Sequence, residues 1–156
     1  MRLPEDDVGN VIQPGDRSVS SDVQTMVSDT IVFTVAGGPI DIVGLRSVMV
    51  TDNSSLAATM QYKFNPSVGS AQAISGASAA LTSALAGTTI DLVPTALTTA
   101  PLVTLAGSGG LAVQSVLNKV RVPPGTLTAT FATSSVTGTL QHHMRYAPLA
   151  PGVTVV

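Results

Sequence analysis

Alternation of apolar and polar positions is the dominant pattern in this chain, and it predicts strands. Residues 56–65 alternate with a period of two, which is typical of a strand with one buried face. Residues 30–35 form a β-branched run that stops at a Gly-Gly-Pro turn signal. Residues 40–51 are apolar on both faces with few exceptions, so the pattern predicts a central strand covered on both sides.

The C-terminal third carries the clearest alternation. Residues 120–122 precede a Pro-Pro-Gly turn, and residues 127–131 and 139–146 then alternate on either side of a short polar loop that contains Gly138. Two alternating runs joined by a short loop predict an antiparallel β-hairpin.

The middle of the chain, residues 67–115, is compatible with two structures. Strands are plausible over residues 88–93, 101–105 and 111–117, between Gly, Ser and Pro breaks. Five apolar positions also fit helical spacing, although many Ser and Thr residues disfavour a helix: Ile74, Ala77, Leu81, Ala84 and Leu85. Strand spacing of about 8–12 residues favours the all-β class, an antiparallel β-sandwich or jelly-roll-like single domain.

Charge divides the chain into two parts. Residues 1–28 hold five acidic and two basic side chains among turn-forming Pro and Gly, and we interpret them as an extended N-terminal arm. Residues 29–156, with four acidic and five basic side chains, form the predicted β-sandwich body. The arm has too few apolar residues to fold alone, so we expect it to lie against its own body, a sister subunit or another partner.

Composition argues against several classes of protein. Charged residues are 10% of the chain, against a usual share of about 25%, while hydrophobic residues are 44%, the reverse of a disordered chain. A net charge of −2 with 3% aromatic residues disfavours nucleic-acid binding. The longest weakly polar stretch is broken by Pro94, Pro101 and Asp91, so no membrane span is predicted.

The motifs that could carry chemistry are weak. His142 and His143 are adjacent on a predicted strand and therefore point to opposite faces, so they cannot easily share one metal. His142 falls on the apolar face of its run, where a hydrogen-bonded core or interface histidine is expected, although a symmetry axis could gather it from several subunits. Residues 107–110 lack the Lys of a phosphate-binding loop. We therefore predict no catalytic residue, no metal site and no cofactor.

Low charge is the one positive signal for function. Soluble domains usually keep roughly 25–35% charged residues on their surface, whereas the polar positions of this body are mostly Thr and Ser. A small Thr-rich β domain would explain this, but a subunit that buries much of its surface in an assembly explains both the low charge and the arm.

Segments at both ends of the body resemble small virion proteins of tailed bacteriophages. They are residues 30–40 (TIVFTVAGGPI), 122–127 (VPPGTL), 137–140 (TGTL), 145–149 (RYAPL) and 151–155 (PGVTV). The resemblance implies a capsid decoration (cement) protein: a β-rich homotrimer that binds the major capsid protein on the outer surface of the head, after synthesis in the host bacterial cytoplasm. The family has no catalytic residues to carry over.

Charged side chains are the candidates for contacts with an acidic capsid surface or with neighbouring arms: Arg2, Asp6, Asp7, Arg17, Arg46, Lys63, Lys119, Arg121 and Arg145. Two alternatives remain open. A tail, neck or fibre component that binds a receptor would also be rich in β-strands and low in charge. A small hydrolase would need convergent titratable groups, and the sequence offers few of them.

Overall fold

The computed structural model describes residues 15–93, 96–104, 119–133 and 135–156, and these residues form an all-β sandwich. No helix is present in this part of the chain. Its strands are β1 (Arg17–Ser20), β2 (Gln24–Met26), β3 (Thr30–Ala36), β4 (Ile40–Thr51), β5 (Met60–Pro66), β6 (Gln72–Ala73), β7 (Thr89–Asp91), β8 (Leu102–Thr104), β9 (Val120–Val122), β10 (Gly125–Phe131), β11 (Ser135–Pro148) and β12 (Thr154–Val155).

Two antiparallel sheets pack face to face. The larger sheet has the order β1-β11-β4-β7-β8, with β2 also paired to β11 and β9 also paired to β4. The smaller sheet has the order β12-β3-β10-β5-β6. This arrangement confirms the predicted sandwich class, since each sheet presents one apolar face to the other.

The core lies between the sheets and follows the predicted alternation. From β10, Leu127 and Phe131 point inward and are at most 4% exposed. From β11, Leu140 and Met144 are 1% exposed. Full burial of each such side chain contributes about 1.5–3 kcal/mol. Strand β4 is central, as predicted, but only its inward face is fully buried, because its outer face is partly open to solvent.

The predicted hairpin of residues 127–131 and 139–146 is wrong. Strand β10 pairs with β3 and β5 in the smaller sheet, while β11 pairs with β1, β2 and β4 in the larger one. The short connection carries the chain from one sheet to the other. Alternation fixes which side chains face inward, and both arrangements place the same side chains in the core, so the pattern cannot distinguish them.

The helical alternative for the middle is also wrong. Residues 74–85 run as an irregular segment along the edge of the smaller sheet and its neighbouring loops. Its backbone amides donate to strand and loop carbonyls: Ile74 to Tyr62, Ser78 to Met60 and Leu81 to Ala58, at 2.7–3.0 Å. The predicted strands at 88–93 and 101–105 correspond to β7 and β8. The predicted strand at 111–117 lies outside the described residues.

The described part of the predicted arm belongs to the larger sheet. Strands β1 and β2 both pair with β11, and Met26 is completely buried. Of the three arrangements left open by the sequence, this part of the arm lies against its own body. Residues 1–14 lie outside the described residues, and so do the candidate residues Arg2, Asp6 and Asp7.

Candidate functional site on the outer face of the larger sheet

The outer face of the larger sheet collects three of the predicted basic residues. Arg46 lies on β4, Arg121 on β9 and Arg145 on β11, and each side chain points away from the core. Each arginine is paired with an aspartate: Asp91, Asp41 and Asp16, respectively. Sequence reasoning identified the cations but not the carboxylates, because each partner is distant along the chain.

Strand register places four polar side chains in one row. Ser20 of β1 is opposite His143 of β11, His143 is opposite Arg46 of β4, and Arg46 is opposite Asp91 of β7. Directly opposed residues on one face of an antiparallel sheet lie within side-chain contact distance. The row therefore crosses four strands with hydrogen-bonding groups at each position.

Two short hydrogen bonds order this row. Ser20 Oγ and His143 Nδ1 are 2.8 Å apart, and Arg46 Nε donates to Asp91 Oδ1 over 2.6 Å. The Asp91 side chain is 6% exposed, whereas that of Arg46 is 52% exposed. The buried carboxylate thus anchors one edge of the guanidinium, and the rest of that group remains at the surface.

An open groove of about 560 Å³ follows this row between β1, β11 and β4. Its floor includes the backbone of Gly44, which pairs with Arg145 and carries no side chain to fill the space. Its rim is formed by Arg46, Arg145 and His143 together with the serines of β1. Asp91 also lines the groove, and both arginines have carboxylate partners, Arg46 in Asp91 and Arg145 in Asp16, so the charges around the groove are balanced.

The pair of Arg121 and Asp41 lies on the same outer face, and neither residue lines the groove. Arg121 binds Asp41 through two nitrogens, at 2.8 and 3.2 Å. The hydrogen bond from this guanidinium holds the pKa of Asp41 below its usual value, against a smaller opposing effect of burial. Arg121 itself has a raised pKa for the same reason.

The remaining predicted residues do not join the groove. Arg17 lies on β1, where its Nη1 donates to the carbonyl of Val153 over 3.2 Å, which ties β1 to the C-terminal segment. Lys63 lies on the outer face of the smaller sheet, and Lys119 is an exposed residue next to β9.

A buried polar network connects the two sheets inside the core. Ser47 Oγ is 2.6 Å from His142 Nδ1 and 2.6 Å from the Tyr62 hydroxyl. All three side chains are at most 1% exposed. This confirms that His142 is a hydrogen-bonded core histidine and that His143 faces the opposite way. No local pattern marks Ser47 or Tyr62 as the partners of His142, since serine and tyrosine also fit the alternation of a strand.

Burial controls ionisation in this network. Desolvation lowers the pKa of His142 to about 4, with a smaller contribution from the nearby His143. Desolvation also raises the pKa of Tyr62. Both groups are therefore neutral near pH 7, and the Ser47–His142 pair is closed off from any substrate in this arrangement.

The outer face of the smaller sheet differs sharply from that of the larger one. Its centre is the column of Thr126, Thr128 and Thr130 on β10, all half-buried. Of the outward-facing positions on the described strands of this sheet, only Lys63 is charged; the others are Ile31, Thr34, Ala36, Gln61, Asn65, Ala73, Thr126, Thr128, Thr130 and Thr154. The Thr-rich outward face expected from the sequence is thus this one.

Two kinds of special site are absent from the described part of the chain. No three His, Asp or Glu side chains there are grouped closely enough to hold a metal ion. No helix there has the length and apolar character needed to cross a bilayer. Comparison with protein-family models, with curated proteins and with solved structures gave no match to this chain.

Proposed function

We propose that this protein is a structural subunit of a virus particle: a capsid decoration (cement) protein that forms a homotrimer and binds the major capsid protein on the outer surface of a tailed-bacteriophage head. The observation that carries the proposal is the Thr-rich outer face of the smaller sheet, on which the charged groups are Lys63 and, at the edge just before β3, Asp29, whose Oδ1 accepts a hydrogen bond from Thr130 at 2.8 Å. The resemblance of residues 30–40 and 145–149 to virion proteins supports the same assignment.

A face of this composition is suited to burial against another subunit. Thr, Gln and Asn side chains can hydrogen-bond across an interface, and they avoid the large desolvation cost of charged groups. Ile31 on the same face is 55% exposed in the single chain and would gain from being covered. We therefore propose that this face contacts another protein subunit in the assembled particle.

The stabilising role follows from thermodynamic linkage between binding of the protein and the state of the shell that it binds. A protein that binds one state of a shell stabilises that state in proportion to the logarithm of its concentration over its Kd. A trimer that contacts adjacent capsomers would hold together surfaces that otherwise separate under internal pressure. The role needs rigid surfaces, and a sandwich with a fully packed core supplies them.

Solution size is the first test. We expect light scattering to give an oligomer with a mass near three times 15.7 kDa. A monodisperse 15.7 kDa species at micromolar concentration would contradict the trimer.

Particle binding is the second and more specific test. Heads of the encoding phage that lack the protein should bind the wild-type chain and become more resistant to heat. Thr128→Arg, which places a charge at the centre of the uncharged face, should weaken binding. Thr89→Arg is the matched control, because Thr89 is a half-buried threonine on the outer face of the other sheet. Equal binding by the two variants would show that the outer face of the smaller sheet does not contact the head.

Labelling of complete virions separates this proposal from the alternative. Antibody-gold on the head surface is the expected result. Labelling confined to the tail, neck or fibres would replace the cement role with that of a tail component.

A further inference from the structure

Strand β1 forms an open edge of the larger sheet. Among the described strands it pairs only with β11, and its residues Arg17, Ser18 and Ser20 are exposed. With four residues it is also the longest strand at a sheet edge in this part of the chain, since β2, β6, β8, β9 and β12 have two or three. The edge of a strand presents N–H and C=O groups that can pair with another chain.

The register with β11 determines which groups of β1 face the open edge. The Ser21 N–H donates to the His142 carbonyl over 2.9 Å, so these two residues form a hydrogen-bonded pair. Such pairs occur at every second position of an antiparallel ladder, which places Val19 in the next hydrogen-bonded pair and leaves Ser18 and Ser20 between them. The backbone N–H and C=O groups of Ser18 and Ser20 therefore point away from β11, and no described residue bonds to them.

The edge of β1 lacks the features that protect other sheet edges from pairing. Residues 18–20 include no Pro and no charged side chain, and their register with β11 is regular. The smaller sheet differs: β12 covers only one end of β3, and at the other end the Gln24 side chain donates to the Ile31 carbonyl over 3.0 Å beside a register shift in the ladder with β10. Strand β1 therefore offers a regular, uncharged edge for pairing.

The strand is complementary to a second copy of itself. When two β1 strands run antiparallel about a two-fold axis at Val19, Ser18 of each chain lies opposite Ser20 of the other, and each of these pairs forms two backbone hydrogen bonds. All four free groups of each strand are then satisfied. Val19 lies opposite its own copy, where this half-buried side chain, which packs against the core, gains further cover. Like charges meet only beyond the strand ends, where Asp16 approaches Asp22 of the other chain.

We propose that two copies of this protein pair through their β1 strands, antiparallel and about a two-fold axis at Val19, so that the larger sheet continues from one chain into the other. The outer faces of the two larger sheets then lie on the same side, and the two grooves, which Ser18 and Ser20 line, meet at the axis. A closed ring of three chains has no two-fold axis, so in the proposed cement protein this contact joins chains of different trimers. The inference itself does not depend on that function.

Disulfide trapping in the full-length chain tests the register. The sequence has no cysteine, so Val19→Cys introduces a single thiol at the axis. Directly opposed residues of a non-hydrogen-bonded pair have Cα atoms about 4.5 Å apart, which a disulfide can span. In a glutathione redox buffer we expect this variant to form a two-chain disulfide on a non-reducing gel. Ser18→Cys is the matched control, because Ser18 lies diagonally from its own copy at about 7–8 Å and should stay mostly uncrosslinked. A mixture of the Ser18→Cys and Ser20→Cys chains should crosslink, since these two positions are opposed.

A proline separates pairing between chains from pairing within the chain. Ser20→Pro, added to the Val19→Cys chain, removes an N–H that faces the open edge and keeps the hydrogen bonds of β1 to β11. It should abolish the two-chain disulfide. Ser20→Ala is its control, because it also loses the side-chain contact with His143 but retains the N–H, and trapping should be unchanged. Urea unfolding of the reduced variants verifies that each is folded.

Three results would overturn the proposal. The first is equal trapping of Val19→Cys and Ser18→Cys, which would indicate random collision. The second is trapping that survives Ser20→Pro in a folded chain. The third is the absence of a crosslink both in Val19→Cys and in the mixture of Ser18→Cys with Ser20→Cys. Failure of the chain to bind heads would remove the proposed function and leave this contact intact, so the two proposals can fail separately.

Discussion

At the scale of single residues, the most consequential feature is the buried set of Ser47, Tyr62 and His142. A polar group inside an apolar core costs free energy unless it is hydrogen-bonded. Here His142 and Tyr62 each hydrogen-bond to Ser47 at 2.6 Å, and these bonds join the larger sheet to the smaller one. Because hydrogen bonds are directional, this network favours one relative placement of the two sheets over other packings that bury similar apolar area.

The first prediction is a pH-dependent stability caused by His142. The pKa of this residue is about 4 in the folded protein and near 6.5 when unfolded. Between these pH values the unfolded state binds a proton that the native state does not. The free energy of unfolding should therefore keep its full value above pH 6.5. It should decrease by up to about 3 kcal/mol as the pH drops to about 4.

Urea titrations at pH 7 and pH 4.5 measure this effect. His143→Gln should keep the difference, and His142→Gln should remove it. Asp41 does not interfere, because its lowered pKa affects stability only below its ordinary value of 3.8. Equal unfolding free energies of the wild type at the two pH values would contradict the prediction.

The second prediction concerns the hydroxyl of Tyr62. Tyr62→Phe removes the link from Ser47 to the smaller sheet while keeping the aromatic ring in the core. We expect a loss of about 1–2 kcal/mol in chemical denaturation, typical of a buried hydrogen bond. Tyr146→Phe is the matched control, since Tyr146 is also buried but lies outside this network, and it should cost less. A Tyr62→Phe variant as stable as the control would show that the network adds nothing to stability.

At the scale of elements, the sequence was most informative where polar and apolar positions alternate. The runs that became β3, β4, β5, β9, β10 and β11 were all predicted, because period-two burial is a local property of a strand. The hairpin failed because strand pairing depends on contacts far along the chain: Leu127 pairs with Phe33 and Phe64 rather than with β11. The helical alternative for residues 74–85 is wrong for a similar reason, since the backbone amides of this segment donate to carbonyls of distant strands and loops.

The third prediction tests the inward register of β10. Phe131 is 4% exposed in the core, so Phe131→Ala should lower the free energy of unfolding by about 3–5 kcal/mol. Thr128→Ala on the outward face of the same strand should cost far less. Denaturant titration of both variants measures the contrast, and a loss below about 1 kcal/mol for Phe131→Ala would mean that this side chain is not packed in the core.

At the scale of the whole molecule, the two outer faces differ in charge: ion pairs lie on the larger sheet, and neutral polar side chains dominate the smaller one. The sequence identified the basic residues of the groove but could not show that Arg46, His143 and Arg145 come together, because each lies beside the next only through sheet register. Asp91 was not singled out as a partner, since a lone aspartate at the end of a short strand has no local signature. One face thus carries ion pairs beside a groove, and the other presents threonines, so the two outer faces of the molecule are chemically distinct.

The N-terminal boundary of the folded unit gives the last prediction. The sequence places residues 1–28 in an arm outside the body, but a deletion of residues 1–22 removes β1, whose residues 17–20 pair with residues 143–146 of β11. It also removes the contact of Arg17 with Val153 and the half-buried side chain of Val19, which packs against the core. A chain that starts at residue 23 should therefore be less stable than one that starts at residue 15 by about 2 kcal/mol or more, given about 1 kcal/mol for each hydrogen bond lost. Thermal and urea unfolding of the two truncated chains measure the difference. Equal stability would show that β1 rests on the sheet without strengthening it, and the folded unit would then begin at β2.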